Sequence, residues 1–321
     1  MPVKTLDALL KEHDKYVSFA DEPKERHYFP SGILALNYIM ADNGGRGIPG
    51  GSLVQLIGEP KSGKSTLSLD FIAQAQRSGI KEVKLEDRSV NALYLDFEHS
   101  FDPLYAELLG VDLTKLLVIT PFYAEEGFDL AEAFVMKGIQ VVVVDSMGML
   151  IPKDEEDKSH EDAPKVSSEA KPLGRFIKRI NALADIHNAV IFFINHYRAN
   201  ISAMARSEKK AYGAWLARYG WKLTIQVRRT GTEVDRAKVE AFIEKTKLGV
   251  EGRKTNFEIV FGHGIDFDNH ILTLGLGYGM IQKKHTWYSY GDYKSQGLTN
   301  VGDLYPMDEI REKVIAALQG E

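Results

Sequence analysis

The sequence predicts an α/β protein in which a mostly parallel, twisted sheet is flanked by helices. Three short apolar runs, at residues 52–57, 92–96 and 141–145, are typical of buried parallel strands. Between them, apolar residues recur at helical spacing, as in 65–77 and 127–136. Alternating strands and helices build a doubly wound sheet, in which ligands bind at the carboxyl ends of the strands. We therefore expect the functional residues at those ends.

The first apolar run leads into a phosphate-binding loop. The residues Gly58-Glu59-Pro60-Lys61-Ser62-Gly63-Lys64-Ser65 match the pattern G-x-x-x-x-G-K-[ST]. A strand, a glycine-rich turn and a helix N-terminus direct backbone N–H groups at one point, and the helix dipole favours an anion there. Lys64 is expected to reach the β- and γ-phosphates, and the Ser65 hydroxyl to bind Mg²⁺. The sequence thus predicts a site for a nucleoside triphosphate.

Polar residues end or follow three further apolar runs, at 92–96, 141–145 and 189–195. Asp145 ends a run of four valines, where a Walker B aspartate would hold Mg²⁺. Glu98 follows the run 92–96, where a general base would activate water, although an isolated Glu there could simply be exposed to solvent. His196 follows the run 189–195, and its residue type favours a functional role no more than a structural one.

Charge is distributed unevenly along the chain. The 321 residues carry a net charge of −5, yet residues 197–229 hold eight Lys or Arg and one Glu. Its first part, residues 197–214, is long and lacks any apolar period, so we expect this loop to contact phosphates, the alternative being a merely solvated basic loop. The chain has no Cys, no apolar segment long enough for a membrane and no signal-peptide pattern at its start. We expect a cytoplasmic protein with no membrane partner.

The remaining segments suggest three parts. An amphipathic helix near residues 6–17 packs either on its own chain or on a neighbouring subunit, and the sequence leaves both open. Further strands that would extend the sheet in antiparallel fashion are predicted at 223–227, 239–243, 257–261 and 271–274. The predicted division is an N-terminal helix and arm (1–30), a core (31–274) and a small C-terminal subdomain (275–321).

Six motifs are spread through the chain, and together they resemble RecA-type recombinases. The similarity extends from about Phe29 to near the C-terminus, and the stretch with Glu98 followed by Asp102-Pro103-x-Tyr105 is highly specific. The motifs are Gly58–Thr66, Asp96–Ala106, Val142–Ser146, Phe193–His196, Lys245–Lys247 and Gly262–Phe267.

This resemblance implies a RecA-like P-loop NTPase core with an N-terminal arm that links subunits and a small C-terminal subdomain. It implies a DNA-dependent ATPase, with ATP and Mg²⁺ as cofactors, that forms helical filaments on single-stranded DNA. Such a protein catalyses homologous pairing and strand exchange with double-stranded DNA in recombination and repair. Single-strand-binding and mediator proteins are further candidate partners.

The resemblance also assigns residues to roles. Glu98 matches the carboxylate that deprotonates water, Lys64 acts on the phosphates, and His196 matches the γ-phosphate sensor. Asp102 and Tyr105 match the adenine contacts, while Lys245 and Lys247 match a pair that reaches the ATP of the adjacent subunit. The other residues assigned to ATP are Gly58, Glu59, Pro60, Lys61, Ser62, Gly63, Ser65, Thr66, Asp145 and Ser146. Two DNA-binding loops fall at 156–170 and 197–213, and the residues assigned to DNA are Lys171, Arg175, Lys178, Arg198, Met204, Arg206, Lys209, Lys210, Tyr212 and Gly213.

The sequence departs from the bacterial pattern in three ways, of which the His at position 196 and the short C-terminal region suggest a bacteriophage member of that family. Position 196 is His instead of Gln, the second DNA loop ends in Tyr212-Gly213 instead of a Gly pair, and the sequence ends without an acidic tail. The alternative functions are a ring-shaped helicase or motor on the same core, or a non-enzymatic accessory relative of a recombinase. A P-loop kinase is a third, but the sequence shows no acceptor pocket for it.

Overall fold

The computed structural model describes residues 5–12, 21, 24–155, 170–198, 210–211, 220–298 and 305–320. The helices are α1 (Leu6–Glu12), α2 (Leu34–Met40), α3 (Lys64–Arg77), α4 (Pro103–Leu108), α5 (Ala124–Lys137), α6 (Ala170–His187), α7 (Phe267–Gly277) and α8 (Met307–Gln319). The strands are β1 (Tyr28–Phe29), β2 (Ile48–Pro49), β3 (Ser52–Gly58), β4 (Val83–Lys84), β5 (Ser89–Val90), β6 (Ala92–Asp96), β7 (Leu116–Ile119), β8 (Val141–Asp145), β9 (Val190–Arg198), β10 (Lys210–Ala211), β11 (Leu223–Thr232), β12 (Arg236–Thr246), β13 (Lys254–Val260), β14 (Gly264–Ile265), β15 (Gln282–Lys284), β16 (Trp287–Tyr290) and β17 (Tyr293–Gln296).

One large sheet organises the molecule, in the order β14-β13-β12-β11-β3-β9-β8-β6-β7. The six strands from β11 to β7 are parallel, β12 to β14 add antiparallel members, and β10 pairs with β9. This confirms the predicted α/β class with a mostly parallel sheet. Because the six strands are parallel, their C-termini share one side of the sheet, which we call the carboxyl edge. Their N-termini share the opposite side, the amino edge.

Both faces of the sheet are covered, which explains the uninterrupted valine run. Side chains alternate along a strand, so Val141 and Val143 pack in the cluster with α3, while Val142 and Val144 pack in the cluster with α5 and α6. All five residues of β8 are buried. A strand buried on both faces needs apolar residues at every position, and its end is therefore rigidly placed.

The four-residue strand predicted at 271–274 is wrong, because these residues lie in α7. The Asp266 carboxylate caps this helix by accepting a hydrogen bond of 3.0 Å from the Asn269 backbone N–H. Ile271 and Leu272 then pack against α8 residues such as Ile310. A short apolar run does not distinguish a strand from a buried helix, and here the cap and the tertiary packing decide.

Replacing Asp266 with Ala is expected to lower the free energy of unfolding by about 1 to 2 kcal/mol, since the α7 cap is lost. Asp266 also lies 3.3 Å from the buried Arg236 guanidinium, which adds to the loss. Urea unfolding measures the effect, with Asp268→Ala, an exposed acid in the first turn of the same helix, as the matched control. Equal unfolding midpoints for the two variants would contradict the assigned cap.

The C-terminal segment forms a small three-stranded sheet, β15-β16-β17, beside α8. Its core includes Leu34 of α2 together with residues of α7 and α8. The predicted boundary after residue 274 thus falls inside α7, and the division into parts stays a prediction. The charged stretch 81–88 contains β4, which pairs in antiparallel fashion with β5, directly after this stretch.

The N-terminal helix α1 spans Leu6–Glu12, with Leu6 72% exposed. Residues 13–17, the rest of the predicted amphipathic helix, lie outside the described residues. None of the helices in the described part of the chain combines the length and apolarity needed to cross a membrane.

Candidate active site

The phosphate-binding loop lies at the carboxyl edge, between β3 and α3. Gly63, the residue before α3, has a φ of +100°, a conformation that favours glycine. A Cβ at Gly58 would lie 2.2 Å from the Val227 carbonyl oxygen, so only glycine fits at this position without a shift of the backbone. The Lys64 ammonium donates to the carbonyl oxygens of Gly58 (3.2 Å) and Glu59 (2.8 Å). Burial lowers its pKa to about 8, so an anionic ligand would favour the charged form.

Asp145 ends β8 next to the loop and fits a magnesium site. Its Oδ2 accepts hydrogen bonds from Ser65 Oγ (3.1 Å) and from the Tyr94 hydroxyl (2.6 Å). Burial raises the pKa of the Asp145 carboxyl, and a divalent cation would oppose that shift. The described residues contain no group of three or more His, Asp or Glu side chains suited to a metal. A hydroxyl and one carboxylate suit Mg²⁺, which is commonly held by few protein oxygens plus phosphates and water.

Glu98 and His196 meet across neighbouring strand ends. Glu98 Oε1 lies 3.2 Å from His196 Nε2 and also accepts a hydrogen bond from Ser146 Oγ. The bond with His196 lowers the pKa of the Glu98 carboxyl, which therefore stays ionised at neutral pH. β3 and β9 pair Gly58 with His196, which puts the imidazole beside the start of the phosphate-binding loop. The site thus holds an ionised carboxylate suited to a general base.

A cavity of about 530 Å³ opens above the loop. Tyr105, on α4, lines it, and its hydroxyl is 2.9 Å from Thr66 Oγ1. Asp102 is not among the lining residues; it caps α4 by accepting from the backbone N–H groups of Leu104 (2.9 Å) and Tyr105 (3.1 Å). The predicted residues that line the cavity are Pro60, Lys61, Ser62, Gly63, Lys64, Ser65, Thr66, Glu98, Tyr105, Asp145 and His196.

The opposite wall of the cavity was not identified from the sequence. It is formed by residues of β11, β12 and β13 and by the residue after β13, namely Arg229, Ala237, Val239, Ile259 and Phe261. The Arg229 guanidinium lies over the Phe261 ring, 5.5 Å from its centroid. Two weak signals existed: Arg229 belongs to the basic segment, and Phe261 directly precedes the Gly262–Phe267 motif. Neither signal implied that β11 and β13 end beside the phosphate-binding loop.

Lys245 and Lys247 lie at the amino edge, away from this cavity. Leu223 pairs with both Val54, near the start of β3, and Thr246, at the end of β12. The phosphate-binding loop follows the other end of β3. Because β3 has seven residues, its two ends lie roughly 20 Å apart. The two lysines therefore cannot be brought to the phosphate-binding loop of their own chain without rearranging the sheet.

The residues assigned to DNA fall partly within the described chain. Lys171, Arg175 and Lys178 are exposed on α6, and the first two line a groove shared with acidic residues of α5. The backbones of Arg198 and Lys210 pair where β9 meets β10. Most of the two predicted loops (156–169, 199–209 and 212–213) lies outside the described residues, including Met204, Arg206, Lys209, Tyr212 and Gly213.

Comparison with known proteins gives one consistent family. A family model described as the RecA N-terminal domain matches residues 16–266. The chain is 32% identical over 307 residues to Protein RecA of Methylococcus capsulatus, covering 90% of this chain and 84% of the relative. It is 31% identical to Protein RecA of Aquifex aeolicus (89% and 82% covered) and 30% identical to Protein RecA of Thermus aquaticus (89% and 84% covered).

Proposed function

We infer the function from the family: the chain belongs to the RecA family. We propose that it is a DNA-dependent ATPase that forms helical filaments on single-stranded DNA. In this proposal it catalyses homologous pairing and strand exchange with double-stranded DNA, in recombination and repair. One observation supports the proposed assembly. The phosphate-binding loop is at the carboxyl edge, while Lys245 and Lys247 are at the amino edge. Head-to-tail stacking would bring these two edges together.

In the proposed reaction, each side chain has one task. Glu98 takes the proton from the water that attacks the γ-phosphorus, and its lowered pKa supports the ionised form this requires. Lys64 neutralises charge on the phosphoryl oxygens, and His196 donates a hydrogen bond to them. Mg²⁺, held by Ser65 and Asp145, would supply further neutralisation of the triphosphate when bound.

In the structure, the side chains assigned to the reaction also bind each other. Lys64 donates to the carbonyl oxygens of its own loop, and Glu98 is shared by His196 and Ser146. We propose that the triphosphate takes over the hydrogen bonds of Lys64 and His196, which frees Glu98 for water. His196 leads directly into the basic segment, so a change at the γ-phosphate would reach the DNA-binding loop through β9.

The adjacent subunit would complete the site. Burial, together with the nearby Lys247 ammonium, lowers the pKa of Lys245, so a polyphosphate docking there would relieve repulsion between two cations. We propose that Tyr105 and Asp102 contact the adenine. Tyr105 lines the cavity, and the free carboxylate oxygen of Asp102 would make the contact, since Oδ1 caps α4.

Electron microscopy with ATP and single-stranded DNA tests the assembly. Helical filaments are expected, because the two half-sites lie on opposite edges, and head-to-tail contacts between identical subunits build a helix when their rotation does not close. Closed rings would support a helicase or motor on the same core, and failure to assemble would support an accessory protein. Either of these results overturns the proposal.

Binding to DNA is expected to depend on salt through the basic loop. Replacing Arg206, Lys209 and Lys210 with Ala removes three cations, so affinity should fall for all sequences and the slope of log affinity against log salt should flatten by about 2 to 3. Filter binding at several salt concentrations measures both quantities. The matched control removes three exposed cations of the 81–88 stretch, Lys81, Lys84 and Arg88. An unchanged slope in the loop variant would mean that the loop is only solvated.

A further inference from the structure

A group of basic side chains surrounds Lys222 at the amino edge. Lys222 precedes β11, and Asp185, Arg26, Lys247 and Lys24 all lie within electrostatic range of its ammonium. We call these five residues the amino-edge cluster. It contains four cations and one acid, so in the isolated chain it has an excess of positive charge.

The single acid of the amino-edge cluster is already engaged. Asp185 Oδ1 lies 2.6 Å from Arg26 Nη2, and its Oδ2 lies 3.8 Å from Lys24 Nζ. The Asp185 carbonyl oxygen also accepts a hydrogen bond of 2.5 Å from Lys24. Among the residues that the structure describes, Lys222 forms no ion pair.

Lys222 and Lys247 are direct neighbours across two strands. The paired residues of β11 and β12 end with Leu223 opposite Thr246. One step further, the Lys247 backbone N–H donates to the Lys222 carbonyl oxygen at 2.7 Å. Cross-strand neighbours have Cβ atoms about 5 Å apart on one face, and like charges there destabilise the sheet. Lys247 also lies within electrostatic range of Lys245, so Lys247 has a lysine neighbour on each of two sides of the sequence, Lys222 and Lys245.

The charges around Lys222 indicate that the amino-edge cluster would bind an anion. Burial lowers the pKa of Lys222, the Asp185 carboxylate opposes that shift, and the nearby cations Arg26, Lys247 and Lys24 lower the pKa further. A half-buried ammonium beside other cations costs free energy unless an anion with several charges binds there. A triphosphate has that charge, and its oxygens accept hydrogen bonds from several ammonium groups at once.

We propose that Lys222 is a third lysine of the shared nucleotide site, binding with Lys245 and Lys247 the polyphosphate held by the phosphate-binding loop of the neighbouring subunit. This inference rests on the proposed head-to-tail assembly. Arg26 and Lys24, tied to Asp185, act as positioning residues that hold α6 against the strand ends beside Lys222.

The test begins with single variants of Lys222. Lys222→Met should lower DNA-stimulated ATPase about tenfold, the effect of losing one charge-assisted hydrogen bond to the phosphates. Lys222→Arg should retain most of the activity, and Lys137→Met, which removes an exposed lysine at the end of α5, should leave it unchanged. Thermal unfolding of Lys222→Met should match that of the wild type. Full activity of Lys222→Met would overturn the inference.

Mixed filaments decide on which side of the interface Lys222 acts. Lys222→Met mixed with Lys64→Ala should recover activity, because some interfaces then combine an intact loop with intact lysines. Lys222→Met mixed with Lys247→Ala should not recover, because every interface lacks one lysine. If Lys64→Ala recovers with Lys247→Ala but not with Lys222→Met, only the role of Lys222 fails. If neither mixture recovers, the shared site itself fails.

Assembly of the variants on DNA is checked first by electron microscopy. Lys222→Gln replaces Lys222→Met in the same mixtures if the latter does not form filaments. If neither assembles and Lys222→Arg does not restore assembly, Lys222 is needed for the structure of the strand ends, and the proposal is overturned.

Discussion

The Glu98→Gln protein is expected to bind ATP and DNA but to hydrolyse ATP at least about 100-fold more slowly than the wild type. The amide has nearly the same shape and can still accept hydrogen bonds from Ser146 and His196, so the site should keep its geometry. It cannot take a proton from water. Since hydrolysis would release DNA, filaments of this variant should also last longer. Steady-state ATPase and DNA dissociation measure the two effects.

Glu107→Gln is a suitable control for that variant, because Glu107 is an exposed carboxylate on the neighbouring helix α4. It should have wild-type activity. Turnover by Glu98→Gln close to that of the control would remove Glu98 from the mechanism. Loss of ATP binding in Glu98→Gln would instead assign the carboxylate to the structure of the site.

Two inactive variants, Lys64→Ala and Lys247→Ala, are expected to recover DNA-stimulated ATPase when mixed. Lys64→Ala lacks the ammonium of the phosphate-binding loop, and Lys247→Ala lacks a cation offered to its neighbour. Each protein alone should fall to a few per cent of wild-type activity or less, since each loses a cation on the reacting phosphate. In a head-to-tail filament, every interface takes its loop from one subunit and its lysines from the next.

Random mixing of equal amounts makes both halves wild type in about a quarter of the interfaces. Activity plotted against mixing ratio should therefore pass through a maximum near equal amounts, well above the mean of the separate variants. Electron microscopy confirms beforehand that each variant forms filaments on DNA. A straight, inactive mixing curve from two filament-forming variants would place Lys247 in the site of its own chain or outside the reaction.

Residues whose positions depend on neighbours along the chain were predictable from the sequence. The phosphate-binding loop needs glycines at fixed offsets between a strand and a helix, and the structure has β3, the loop and α3 in that order. The β-branched valine run before Asp145 is typical of a strand covered on both faces, which predicted its carboxylate at the carboxyl edge, where the structure has it. Glu98 and His196 follow the same rule for strand ends.

Prediction from sequence was weaker where two conformations satisfy the same local pattern. Ile271 to Leu274 has the composition of a short strand, yet the Asp266 cap and the packing against α8 make it helical. Asp102 illustrates the same limit, because its side chain caps α4 whatever else it contacts. Side-chain hydrogen bonds to nearby backbone groups leave little trace in the periodicity of apolar residues.

By itself, the sequence determined the fold class, the loop that would hold the triphosphate and the acidic residues at the strand ends. Only the tertiary structure decided that Arg229 and Phe261 form the opposite wall of the cavity and that Lys222 lies beside Lys247. The reason is physical. A motif places groups that are close along the chain, whereas the register of β11 against β3 and β12 brings together residues that are far apart in sequence.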